Sequence, residues 1–158
     1  MITNCRQLIV ATLFLKLLAP GPVMADFATA TSAYDGGDYA TAFREWRALA
    51  EAGDTASQIA LAGLYRGGIG GDIDLARAAY WYGQAAKSGD AVAQLNLAEM
   101  YEHGWGVARN KVAAYVWYQR AAVQGRNWAA DRRDRLAGHM TASERALAKK
   151  ELARPRSP

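Results

Sequence analysis

The sequence predicts an all-α protein, a solenoid of about eight helices, and three observations support this fold class. Apolar residues recur three and four positions apart in several segments, which is the spacing of one face of a helix. No segment alternates polar and β-branched residues with period two, as a half-buried strand would. The third observation is an internal repeat, because fixed periods of about 20 to 50 residues are typical of stacked helical units.

The repeat has a period of 36 residues. Residues 53–88 and 89–124 align without a gap and share 13 identical positions. Each identical residue of the first unit recurs 36 positions later in the second: Gly53, Asp54, Gln58, Leu61, Ala62, Tyr65, Gly68, Gly70, Ala78, Trp81, Tyr82, Ala85 and Ala86. We therefore expect the two units to have the same structure.

Each unit is predicted to contain two helices joined by a glycine-rich turn. An apolar stripe that includes Ala62 and Tyr65 marks the first helix, and the glycines of residues 67–71 end it, because glycine adopts the positive φ of a helix exit. Asp74 and its partner Asn110 are placed to cap the second helix. A phosphate-binding loop is excluded here because no strand precedes the glycines.

Small and large side chains recur at fixed positions of the predicted helices. The alanines should let helices approach closely, and most aromatic rings should fill the core between them. We assign these rings to the core: Trp46, Trp81, Tyr82, Trp117 and Tyr118. Trp105 and Trp128 fall outside that register, so they are candidates for the surface.

Written as one pattern, the repeat is Gly-Asp-x-x-Ala/Ser-Gln-x-x-Leu-Ala-x-x-Tyr-x-x-Gly-x-Gly, then Asp/Asn, then Ala-x-x-Trp-Tyr-x-x-Ala-Ala. This pattern resembles the Sel1-like repeat, a relative of the tetratricopeptide repeat. Gly71 departs from it, because the usual residue is valine, as at Val107. The resemblance implies a right-handed α/α solenoid whose first helices line a concave face.

The flanking segments complete the predicted solenoid. Residues 26–52 resemble a tetratricopeptide-like helix pair, and residues 125–152 are expected to form C-terminal capping helices. Within that cap, Thr141 and Glu144 have the spacing of a capping box, which would open the last helix. Residues 153–158 are expected to form a tail.

The first 25 residues have the pattern of a cleavable signal peptide. A short positive segment precedes an apolar run at residues 8–18, which is too short to span a bilayer. Small side chains then lead to a predicted cut between Ala25 and Asp26. The expected location is therefore periplasmic or secreted, with a retained N-terminal anchor as the alternative. Cys5 leaves with the signal, so the mature chain would contain no cysteine.

The formal net charge of +4 hides an uneven distribution. Residues 26–108 contain 5 basic and 11 acidic side chains, whereas residues 109–158 contain 12 basic and 4 acidic ones. Two kinds of partner follow from this polarity: one with a complementary charge pattern, or a second copy in head-to-tail self-association.

Candidate catalytic residues are few, and we expect no enzyme activity. Glu99 and His103 share a helix face, but zinc usually takes three or four protein ligands. No nucleophile has an evident base nearby in the sequence, which argues against covalent catalysis. We also predict no cofactor and no metal. A β-lactamase-like hydrolase is the least favoured alternative, because the cysteine-rich relatives described as β-lactamases depend on disulfides.

The resemblance places a partner-binding site on the concave face. Aligned with the tetratricopeptide pattern, these residues face the groove: Asn96, Glu99, His103, Trp128, Arg132 and Arg135. A peptide could be held there by an aromatic anchor and arginine forks. The alternative is that the arginines only solvate a terminal helix.

We therefore expect a non-enzymatic protein–protein interaction module of the bacterial cell envelope that binds a peptide or partner protein. The alternative is a periplasmic regulator that holds the extracytoplasmic domain of a membrane sensor. Nucleic acid is not an expected partner because the chain is predicted to be exported. We also expect no stable membrane insertion after the signal is removed.

Overall fold

The computed structural model describes residues 26–154, which fold into eight α-helices without a strand. The predicted all-α solenoid is confirmed. The predicted signal peptide, residues 1–25, and residues 155–158 of the predicted tail lie outside the described residues. The helices in chain order are α1 (Phe27–Asp35), α2 (Tyr39–Glu51), α3 (Thr55–Gly67), α4 (Leu75–Lys87), α5 (Ala91–His103), α6 (Lys111–Ala122), α7 (Asn127–Gly138) and α8 (Ala142–Ala153).

Consecutive helices pack against one another from α1 to α7, and α8 packs on α6. The two repeats correspond to the pairs α3–α4 and α5–α6, and α7 and α8 follow them in the chain. Within residues 26–154, no helix has the length and apolar character needed to cross a bilayer.

The helices of the two repeats begin at side-chain caps that recur in register. Asp54 and Asp90 cap α3 and α5, and Asp74 and Asn110 cap α4 and α6. Each side chain accepts a hydrogen bond from the backbone N–H three residues later, at 2.7 to 3.0 Å. The caps predicted at Asp74 and Asn110 are confirmed, and each such cap contributes ~1 kcal/mol.

The last two helices begin differently. In α8, the predicted capping box is confirmed: the Thr141 backbone N–H donates to Glu144 Oε2 at 2.7 Å, and the Glu144 backbone N–H donates to Thr141 Oγ1 at 3.1 Å. In α7, Arg126 occupies the register position of Asp54 and Asp90 and provides no side-chain cap. The start of α7 is therefore less firmly held than the starts of α3 and α5.

The helices approach closely because alanines lie at their contacts. Ala62 and Ala78 in the first repeat, like Ala98 and Ala114 in the second, have no exposed surface. The aromatic side chains with 5% or less of their surface exposed are on the second helices: Trp46, Tyr82 and Tyr118. Trp81 and Trp117, also assigned to the core, are only partly buried against it.

A buried glutamine links each repeat to the helix before it. The side-chain amides of Gln58 and Gln94 donate to backbone carbonyl oxygens of α2 and α4 at 3.3 and 3.2 Å. Gln94 Oε1 also accepts a hydrogen bond from Gln124 at 2.9 Å. Ser88 stands at the register position of Gln124, and Gln58 Oε1 has no hydrogen-bond partner. The buried glutamine of the second repeat therefore has its hydrogen-bonding groups better satisfied than that of the first.

The turn of the second repeat rests directly on the preceding repeat. Gly106 has a φ of +68°, and a Cβ atom on it would lie 2.0 Å from the carbonyl oxygen of Leu75, the first residue of α4. The equivalent Gly70 lies against Tyr39, the first residue of α2, where a Cβ would meet the Tyr39 Cβ at 3.0 Å. These glycines therefore allow each turn to contact the second helix of the previous unit.

We expect Gly106→Ala to destabilise the protein more than Gly53→Ala. Gly53 also has a positive φ, of +96°, but a Cβ there would meet nothing within 4 Å, so its substitution isolates the backbone strain at ~1–2 kcal/mol. Gly106→Ala adds the clash with Leu75 and should cost about 3 kcal/mol. Urea unfolding of the two variants measures the difference, and equal costs would show that the contact between turn and helix is not tight.

Candidate functional site

Side chains of α3, α5 and α7 meet on one face of the solenoid, here called the odd-helix face. At the α3–α5 junction, Arg66 Nη1 donates to Asn96 Oδ1 at 2.5 Å. The Asn96 amide in turn donates to the carbonyl oxygen of Val92 at 2.8 Å. Both ends of the Asn96 side chain are therefore occupied within the protein.

The α5–α7 junction carries a cluster of charged groups. Arg132 of α7 lies 3.4 Å from Glu99 Oε1 and 4.0 Å from Glu102 Oε2. Glu102 Oε2 also accepts a hydrogen bond from the Tyr118 hydroxyl of α6 at 2.6 Å. The side chains of Glu99, Glu102 and Arg132 are only 16%, 21% and 32% exposed, so their pairing limits the cost of partial burial.

The two junctions use equivalent positions but different charges. Residues 66 and 102 are 36 positions apart, and so are residues 96 and 132. The contact between Arg66 and Asn96 therefore corresponds to the ion pair between Glu102 and Arg132. An arginine of the earlier helix is replaced by a glutamate, and the partner on the later helix changes from an amide to a guanidinium.

The buried tyrosines beneath these pairs have altered acidity. Burial raises the pKa of the Tyr118 hydroxyl far above its usual value, and the hydrogen bond to Glu102 raises it further. Burial also raises the pKa of Tyr82, the register partner of Tyr118, and the neighbouring Arg66 partly opposes that rise. Tyr118 therefore acts as a neutral hydrogen-bond donor at physiological pH.

The structure brings three of the six predicted site residues into the contacts of these two junctions, together called the network. Asn96, Glu99 and Arg132 lie on the odd-helix face, as described above. Trp128, on the same helix as Arg132, is 46% exposed. Arg135 is exposed, and its only polar contact within the described residues is the Asp131 carbonyl oxygen at 3.4 Å.

The sixth predicted site residue, His103, is not part of this network. Its ring stacks on Trp105, with ring centroids 4.6 Å apart and an angle of 28° between the planes. Trp105 is 42% exposed, so this pair lies at the surface, at the end of α5. The surface assignment of Trp105 and Trp128 is confirmed.

Three residues of the network were not predicted: Arg66, Glu102 and Tyr118. Their signal was present in the alignment of the two repeats, because Arg66 and Glu102 are register partners that change charge. Tyr118 was assigned only to the core, and its hydroxyl contact with Glu102 depends on where α6 places the ring.

The chemistry available at this face is that of recognition. Within residues 26–154, no three His, Cys, Asp or Glu side chains cluster as metal ligands. Glu99 pairs with Arg132 rather than with His103. An exposed indole, an exposed guanidinium and a fixed network of charges can bind a polypeptide.

The family model described as "Sel1 repeat" matches residues 55–90 and 91–125. The chain is similar to the solved structure of a protective antigen present in uropathogenic Escherichia coli strains, which displays an SLR fold, with 26% identity and a TM-score of 0.73 over 78% of this chain and 27% of that one. It is also similar to a Sel1 repeat protein from Oxalobacter formigenes, with 32% identity and a TM-score of 0.65 over 70% of this chain and 46% of that one. The chain thus spans less than half the length of both proteins. A search of curated proteins found no match.

We expect the raised pKa of Tyr118 to make stability fall at alkaline pH. The unfolded chain releases this proton near pH ~10, whereas the folded protein retains it, so the stabilisation is complete below about pH 10 and is lost as pH rises further. Tyr118→Phe should reduce the free energy of unfolding by ~1 kcal/mol near neutral pH and weaken its decline above about pH 10. Urea unfolding at several pH values measures both effects.

The matched control for this prediction is Tyr80→Phe, because Tyr80 is 57% exposed. Tyr80→Phe removes a hydroxyl from the surface rather than from the interior, so this variant should retain the parental decline. If Tyr118→Phe declined as steeply as the parent protein, Tyr118 would not be the buried neutral donor that its surroundings indicate.

Proposed function

Because the chain contains two Sel1 repeats, we propose that it is a non-enzymatic interaction module of the bacterial cell envelope. Sel1 repeat proteins are protein-interaction modules, and their family is generally a non-catalytic scaffold. In this proposal, a peptide or partner protein binds on the odd-helix face, which the family resemblance implies is concave.

The exposed pair Trp128 and Arg135 beside the Arg132 network carries this proposal. Trp128 and Arg132 are four residues apart on α7, and Arg135 follows three residues later, so the three share one side of the helix. A tryptophan that is 46% exposed offers a large apolar surface for an anchor, and tryptophan and arginine are frequent in binding hot spots.

The charges suggest how a partner would be oriented. Glu99 and Glu102 hold Arg132 in place, so the arginine fork expected at this position is already engaged. Arg135 is the more available guanidinium and would bind a carboxylate of the partner, while Trp128 contacts an apolar side chain. In this arrangement, Arg135 orients the partner and Trp128 buries most of the contact area.

The envelope location rests on the sequence of residues 1–25. A signal peptide cut between Ala25 and Asp26 would leave the described fold intact, because Asp26 itself caps α1 and accepts a hydrogen bond from the Thr29 backbone N–H at 3.2 Å. We therefore propose a periplasmic or secreted mature chain that begins at Asp26.

We expect Trp128→Ala to abolish capture of a partner from an envelope extract, while Leu147→Ala preserves it. Both side chains are about equally exposed, at 46% and 48%, but Leu147 lies on α8, away from the odd-helix face. Affinity capture with the tagged protein, followed by mass spectrometry, gives the comparison. A partner lost equally with both variants would contradict the assignment of the binding face, and capture of a single membrane sensor would favour the regulatory role.

We expect the protein isolated from cells to begin at Asp26. Signal cleavage requires a small residue before the cut, so Ala25→Phe should accumulate as a full-length precursor. N-terminal sequencing and intact mass measurement of both proteins test this. A parent protein that retains Met1 and remains in the cytosolic fraction would overturn the proposed location.

A further inference from the structure

A glycine replaces a packed valine at one register position of the two repeats. In the second repeat, Val107 packs partly buried against a core cluster that includes Leu97 and Ala79. In the first repeat, the same position is Gly71, and a Cβ there would meet nothing within 4 Å. The first repeat therefore lacks one aliphatic side chain that its own copy uses for packing.

A cleft of about 350 Å³ lies at this position, between α2, α3 and the turn that follows α3. Phe43, Leu64 and Tyr65 contribute its apolar walls, and Ile69 and Ile73 of the turn complete them. Phe43 is larger than its register partner Ala79 and takes up part of the space, yet the cleft remains. Its volume is in the lower range of small-ligand pockets and suits one or a few side chains.

The rim of the cleft has an unbalanced negative charge. Arg77 and Asp74 neutralise each other, with 3.2 Å between Arg77 Nε and Asp74 Oδ2. The Arg77 guanidinium also lies 5.4 Å from the centre of the Tyr65 ring. Asp72 is exposed and has no ion pair within the described residues. Residues 26–108, which contain the cleft, have 5 basic and 11 acidic side chains.

We propose that this cleft, here called the Gly71 cleft, binds a partner segment that carries a branched aliphatic side chain next to a lysine or arginine. The aliphatic side chain takes the place that Val107 fills in the second repeat. The neighbouring cation pairs with Asp72 at the rim. Ile73, which is 64% exposed, adds apolar contact at the entrance.

The Gly71 cleft is separate from the odd-helix face. No residue of its lining belongs to the network of Arg66, Asn96, Glu99, Glu102 and Arg132. The proposal adds a second interaction surface and does not depend on the first. A variant at Trp128 should accordingly leave binding in the cleft unchanged.

The test uses the ¹⁵N-labelled protein, as cells process it, with three capped tripeptides as probes: acetyl-Lys-Val-Lys-amide, acetyl-Lys-Ser-Lys-amide and acetyl-Glu-Val-Glu-amide. We expect the first peptide to shift the amide resonances of Gly70, Gly71 and Ile73 with saturation at millimolar concentration. Replacement of valine by serine, or of lysine by glutamate, should weaken binding at least about fivefold, equivalent to about 1 kcal/mol.

Gly71→Val is the decisive variant, because it fills the cleft with the residue found at Val107. It should abolish the peptide-induced shifts without lowering the thermal midpoint of unfolding. An unchanged midpoint shows that binding is lost because the cleft is filled and not because the variant misfolds. Asp72→Asn should reduce the preference for lysine over glutamate, while the control Trp128→Ala binds as the parent does.

Three results would overturn the proposal: no saturable shift with the lysine–valine peptide, equal binding by Gly71→Val, or equal binding of all three peptides. Concentration-dependent shifts of the same resonances without peptide would also overturn it, because the occupant would then be a second copy of the chain. Retention of partner capture by Trp128→Ala would contradict the proposal for the odd-helix face alone, so the two proposals fail independently.

Discussion

The close approach of successive helices is the constraint on which the rest of the structure depends. It requires side chains no larger than alanine at the helix contacts, and Ala62, Ala78, Ala98 and Ala114 have no exposed surface. Between helices that approach at alanines, large rings fit only at defined positions. Tyr82 and Tyr118 occupy these positions. The same constraint extends to the turns, because Gly106 contacts the Leu75 carbonyl too closely for any Cβ atom.

The two repeats share their packing residues but differ in the residues at the junctions between helices. The alanines and tyrosines recur at the same register. In contrast, Arg66 becomes Glu102 at the equivalent position, and the contact with the later helix lengthens from 2.5 to 4.0 Å. Position 71 also varies, since glycine stands where the second repeat has Val107, and Gly71 is one of the residues that line the cleft. The two proposed binding surfaces therefore lie at positions where the repeats differ, because the shared positions are used for packing.

The candidate site was predictable only in part, because residues that contact each other there are far apart in the sequence. Asn96, Glu99 and Arg132 were assigned to one face because the resemblance aligns them with the groove-facing positions of the tetratricopeptide pattern. Their partners were not, because Arg66 contacts Asn96 from 30 residues away. His103 was placed on that face by the same alignment, yet it stacks on Trp105 in the following turn, whose path the repeat pattern does not determine.

By itself, the sequence determined the number of helices, their caps and their turns, because these depend on contacts within a few residues: the Asp74 cap, the Thr141–Glu144 capping box and the left-handed Gly68. Only the tertiary structure decided that Glu99 pairs with Arg132 and that the position of Gly71 remains open. Both depend on the rotation and separation of packed helices, which fix how side chains from different units meet.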